Sequence, residues 1–212
     1  MKHPHARRHW PKIPRLAVVL LLPVLLLPAC SSQEPEAPAT CRAPAGAAEL
    51  DTDPDDSPET PWSKPAGGKL SVSFETGNLS ERYAGMVEEA ARIWSGSPCI
   101  AATAVDECQP DTNCVSVEEE FSGGRNTDGE FTGMHTDGVR DGGRIVLYTR
   151  LLDQASDNGA LATIVHEMGH ALGLVHRQDR SDVMHASTDD DTDPTPDNTD
   201  FYNLAVIYGA GT

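Results

Sequence analysis

The stretch His166-Glu167-Met168-Gly169-His170-Ala171-Leu172-Gly173-Leu174-Val175-His176 decides how this chain is read. Leu161, Ile164, Val165, Met168 and Leu172 recur at helical spacing, which predicts a helix from about Gly159 to Leu172 with Asp157 or Asn158 as its cap. At roughly 100° per residue these apolar side chains fall within about 60° of Leu161, while His166 and His170 fall near about 140° and 180°. Both histidines are therefore expected together, opposite the buried stripe and outside the core. Side chains four apart on a helix stand about 5–6 Å apart at Cβ, so two imidazoles can reach one metal ion. Gly173 can take positive φ, which lets the helix stop and the chain turn back. His176 then delivers a third nitrogen. Three protein ligands leave the fourth position of zinc to water, the mark of a catalytic site. Glu167 is not spaced as a ligand but is placed to accept a proton from the attacking water.

Outward from this helix, the chain mixes strand and helix signals, which predicts an α+β fold. Leu70–Phe74 alternates as a first strand, and Ser80 opens a helix to about Ser95 whose stripe is Tyr83, Met86, Val87, Ala90 and Trp94. Strands are expected near Ile100–Val105 and Val115–Glu119. A glycine-rich, irregular stretch from Gly123 to Gly143 holds a short edge strand at Glu130–His135, and Arg144–Tyr148 is the clearest strand of the set.

The pattern H-E-x-x-H-x-x-G-x-x-H, with Ser181-Asp182-Val183-Met184 eight residues beyond His176, resembles the metzincin zinc peptidases, and among them the matrixins. Gly143–Leu147 is similar to the strand before their zinc helix, and Asp197–Gly209 to their closing helix. The resemblance covers about residues 69–209. It implies a zincin/metzincin-like fold: a small mixed twisted sheet, an active-site helix and a C-terminal helix. It also implies Met184 in a turn beneath the metal, a cleft edged by the strand near Glu130–His135, and a pocket wall from His185, Ala186 and Ser187. Arg177 and Ala186 depart from the serine and proline that matrixins usually carry there. His135-Thr136-Asp137 is similar to the start of a second zinc site, without its remaining histidines. Asp137, Asp141 and Asp189–Asp193 are candidates for Ca(2+), against the plainer reading of solvated acidic loops. A loose likeness at Thr40–Pro44 to the matrixin latency segment makes Cys41 a candidate for covering the zinc.

Towards the N-terminus the character of the chain changes twice. Five cations and no acid stand in residues 1–29, and an apolar run from Leu16 to Leu27, interrupted by Pro23, is too short to span a bilayer. Leu27-Pro28-Ala29-Cys30 resembles a bacterial lipobox, which makes Cys30 the expected lipidation site and 1–29 a lipoprotein signal peptide. Residues 30–65, with seven prolines between 31 and 65 and almost no large apolar side chain, read as a disordered stalk. The peptidase domain is then 66–212. Cys41, Cys99, Cys108 and Cys114 form an even set, so two disulfides are expected in an exported protein. Cys108 with Cys114 is a local option that leaves Cys41 with Cys99, but three pairings exist and spacing does not choose among them.

Composition narrows the function. With 33 acidic residues against 16 basic and a net charge of −17, the surface repels nucleic acid and anionic lipid. The expectation is an exported zinc endopeptidase acting on proteins or peptides. It is held to the outer face of the cell membrane only by its lipid, and is otherwise monomeric. The alternatives are a non-catalytic zinc-containing surface module, which the intact Glu167 argues against, and a zinc hydrolase of cell-wall peptides.

Overall fold

The computed structural model describes residues 40–45, 51–121 and 126–209. Its sheet has five strands in the order β2-β1-β3-β5-β4: β1 (Leu70–Glu75), β2 (Ile100–Val105), β3 (Cys114–Glu120), β4 (Gly129–Thr136) and β5 (Val139–Tyr148). All neighbours are parallel except β4, which runs antiparallel to β5 and ends the sheet. β1 buries Leu70, Val72 and Phe74 and exposes Ser71, so one face carries the core. Helix α1 (Glu81–Trp94) packs on β2, the long helix α3 (Asp157–Ala171) packs on β4 and β5, and the two helices pack on each other. Trp94 ties them by donating its indole N–H to the Val165 carbonyl at 2.9 Å. A short α2 (Thr149–Leu152) links β5 to α3, and α4 (Asn198–Tyr208) closes the fold.

Three sequence expectations need correcting. The stretch read as irregular up to Gly143 is a hairpin. Asp137 and Gly138 turn at φ 53° and 77°, the left-handed pair that suits a two-residue connection, and β5 begins at Val139. The cap of α3 is Ser156, whose hydroxyl accepts the Gly159 N–H. Nor is α3 open on its histidine side: His166 and Glu167 are both buried, because β4 packs against Glu167 and the chain beyond Gly173 packs against His166 and His170.

The stalk is the fourth difference. Residues 1–39 and 46–50, with Cys30 and the signal segment, lie outside the described residues, but 51–65 is packed onto the domain. Pro61 accepts the Arg140 N–H at 2.9 Å, and Thr52 forms a bridge with Arg177. Trp62 is 2% exposed and donates its indole N–H to the Ala171 carbonyl at 2.8 Å. Composition gives this segment no core of its own, and it borrows one from the domain. Further back, Cys41 is bonded to Cys99 and Cys108 to Cys114. With its sulfur in that bond, Cys41 has no thiolate to offer a metal.

Candidate active site

The end of α3 is built so that the chain can reverse. Gly173 takes φ +100°, its N–H reaches the His170 carbonyl, and Leu174 N–H reaches the Gly169 carbonyl at 3.0 Å. This is a Schellman closure, and only glycine enters its left-handed position cheaply. The remaining helix-end carbonyls are capped from outside: Ala171 by Trp62, and Leu172 by the Tyr208 hydroxyl at 2.8 Å. With the turn fixed, His176 comes back beside the helix.

The three histidines meet at their Nε2 atoms. His170 Nε2 stands 3.1 Å from that of His166 and 3.2 Å from that of His176. Their outer nitrogens explain what kind of contact this is. Nδ1 of His166 lies 2.7 Å from the Val183 carbonyl, and Nδ1 of His170 lies 2.9 Å from the Leu174 carbonyl. Nδ1 of His176 lies 3.0 Å from Asp56 Oδ2. Each outer partner is an acceptor, so each Nδ1 carries the proton and each Nε2 presents a lone pair to the others. Three lone pairs in contact repel unless a cation sits among them. Tetrahedral Zn–N bonds of about 2.0–2.1 Å place nitrogens roughly 3.3 Å apart, which the observed spacings fit. Burial, with the neighbouring imidazoles, pushes His166 down to about 3, so it stays a neutral donor.

Met184 is fully buried beneath this group. A Cβ on Gly169 would stand 2.3 Å from its sulfur, so the glycine inside the motif makes room for the turn. That turn is held by Asp182, which accepts the Met184 N–H at 2.7 Å. It is also the turn that presents Val183 O to His166.

Glu167 lies beside the histidines under β4. Burial pushes its carboxyl up to about 8, opposed by a hydrogen bond from the Phe131 backbone. A Cβ on Gly129 would meet Glu167 Cγ at 2.8 Å, so β4 can pass this closely only as glycine. A cavity of about 180 Å³ opens next to His166 and Glu167, with Asp128 and Gly129 on one side and Ala186, Ser187 and Thr188 on the other. Of the residues expected as a pocket wall, Ala186 and Ser187 line this cavity, joined by Thr188, and His185 does not.

Sequence reasoning missed two residues here. Asp56 belongs to the supposed stalk. Arg177, noted only as a departure from the usual serine, lies among Asp51, Asp182, Asp197 and Asp200. Its guanidinium supplies the positive charge within this acidic cluster, of which Asp182 and Asp200 are buried. Among the described residues the only groups of three donors placed to share an ion are this one and the three histidines. Neither His135 nor the acids at Asp137, Asp141 and Asp189–Asp193 gather into a site. Asp189 and Asp193 instead accept backbone N–H groups of their own turn. The candidate sites for calcium and a second zinc find no support among the described residues, and the reading of Asp189–Asp193 as loop residues stands.

Fold and site together define a zinc-dependent hydrolase of the kind built on a helix with two histidines and a returning third. The matrixin family profile matches residues 72–209, and the chain belongs to that family: it is a zinc metalloendopeptidase of the metzincin type. No functionally curated protein matches it. Among solved structures, archaemetzincin from Methanopyrus kandleri is similar at 14% identity and a TM-score of 0.45, over 68% of this chain and 97% of that one.

Proposed function

We propose that His166, His170 and His176 hold one zinc ion and that Glu167 carries the proton in hydrolysis of internal peptide bonds. The observation behind this is the convergence of three Nε2 atoms, each with its Nδ1 turned to an acceptor, beside the buried side chain of Glu167. Zinc bound there supplies a Lewis acid that polarises a carbonyl and makes water a nucleophile at neutral pH. Glu167 accepts the proton of the attacking water and returns it to the departing amine, with no covalent intermediate.

β4 supports the choice of an extended substrate. It ends the sheet, no strand among the described residues pairs with its outer side, and it passes directly over Glu167. A peptide added alongside it receives backbone hydrogen bonds, and the cavity beside Glu167 takes the side chain after the scissile bond. The lipobox-like Leu27–Cys30 supports an exported, lipid-anchored enzyme, working as a monomer at the outer face of the cell membrane.

The test is an unfolded polypeptide blocked at both termini, incubated with the zinc-loaded chain from residue 31 onward. Internal fragments seen by mass spectrometry, and lost on adding a chelator, are the expected result. A folded, zinc-loaded protein that yields none refutes the reading.

A further inference from the structure

The three histidines are not held alike. Val183 and Leu174 offer His166 and His170 backbone carbonyls from the motif and the turn after it. His176 stands beyond the helix end, and its support comes from 120 residues upstream. Asp56 Oδ2 lies 3.0 Å from His176 Nδ1 and also accepts the His176 backbone N–H at 3.0 Å. The His176 carbonyl accepts the Asp53 N–H at 2.8 Å. Ring, amide and carbonyl of one residue are thus pinned by Asp53–Asp56.

That segment is itself fixed at both ends. Upstream, Gln178 donates its backbone N–H to the Asp51 carbonyl; downstream, Arg140 donates to Pro61, and Glu59 pairs with the Arg140 guanidinium at 2.6 Å. Asp56 is not a fourth ligand. It addresses the outer nitrogen, and no oxygen of Asp56 joins the donor atoms that lie within 4.8 Å of one another.

From this geometry we infer that Asp56 is a positioning residue for His176, so that a segment preceding the matched region 72–209 completes the zinc centre. This rests on the reading of His176 as a ligand. The carboxylate holds the proton on Nδ1, keeps the Nε2 lone pair on the metal side, fixes the ring plane and strengthens the nitrogen as a donor. Outer partners of this kind typically contribute 10–100-fold in metal affinity.

The experiment is competition for zinc between a chromophoric chelator and the chain from residue 31. The variants are Asp56→Ala, Asp56→Asn, His176→Ala, and Asp55→Asn as a control on an exposed neighbour. Circular dichroism melts of the metal-free proteins, and the visible spectrum of the cobalt-substituted ones, accompany it. Affinity should fall roughly 10–100-fold for Asp56→Ala and less for Asp56→Asn, whose amide oxygen still accepts from Nδ1. Asp55→Asn should match the wild type. The cobalt spectrum should shift while the metal-free melts stay together. If His176→Ala keeps wild-type affinity, the ligand reading itself fails. Should His176→Ala lose affinity while both Asp56 variants keep it, only the positioning role fails. Affinity that falls solely in step with the metal-free melting temperature makes Asp56 a structural residue and overturns the proposal.

Discussion

Trp62→Ala is the sharpest perturbation of the segment that precedes the matched region. Trp62 is 2% exposed, caps the Ala171 carbonyl at the end of the zinc helix, and has the Arg140 guanidinium 6.0 Å from its ring centre. Truncating a buried tryptophan costs about 3–5 kcal/mol, and a helix-end carbonyl left without its donor adds about 1–3 kcal/mol where water does not replace it. Taking the lower end of the sum, about 4 kcal/mol, at roughly 2–4 °C per kcal/mol for a chain of this size, the melting temperature should fall by at least about 8–16 °C. Trp62→Phe keeps most of the packing and loses the N–H, so its loss should be less than half as large. Thermal unfolding followed by circular dichroism on the chain from residue 31, with zinc present, reads both. A Trp62→Ala protein melting within about 2 °C of the wild type would refute the reasoning, since a detached stalk is the arrangement in which this side chain contributes nothing.

Other consequences follow from the polar groups around the site. Replacing Arg177 by Leu leaves the charge of the buried Asp182–Asp200 pair without its cation, so urea unfolding should show a loss of about 3–5 kcal/mol; a loss under about 1 kcal/mol contradicts the cluster's role. Burial and the Asp182 carboxyl push Asp200 up to about 8, against about 3.9 in the unfolded chain. Its protonated form is the one the fold favours, so this group's contribution is full below about pH 4 and is lost as pH rises through about 8. Asp200→Asn removes that titration, and its melting temperature relative to wild type should climb steadily from pH 5 to pH 9. A constant difference across that range would rule the linkage out. Gly169→Ala drives a methyl into the Met184 sulfur and the Trp94 ring, at about 1–3 kcal/mol of overpacking less about 1 kcal/mol of helix propensity. Its distinguishing sign is weaker zinc binding through the displaced turn, seen in chelator competition, and unaltered affinity would show that the turn adapts.

What the sequence disclosed follows the distance over which each signal acts. Helix α3 was legible because its two histidines, its apolar stripe and its terminating glycine lie within one short window. The β4–β5 hairpin was obscured by Gly142 and Gly143, which look like loop but sit within β5. They are glycine because the side chains of Met134 and Phe131 lie where their Cβ atoms would be, at 2.7 and 2.6 Å. That reason is visible only across the pair of strands. Residues 51–65 read as a stalk because their order is supplied from elsewhere: by Arg140, by Gln178 and by the end of α3. Asp56 and Arg177 were hidden for the same cause. One reaches His176 across 120 residues; the other gathers carboxylates from both ends of the domain.

The central claim is that a three-histidine centre works together with Glu167, and one variant tests it most directly. Glu167→Gln should retain one zinc per chain, measured by metal analysis after dialysis, while its rate on an unfolded polypeptide falls by about 10²–10⁴-fold. Cleavage at near the wild-type rate with zinc in place would contradict the assignment of the proton to Glu167.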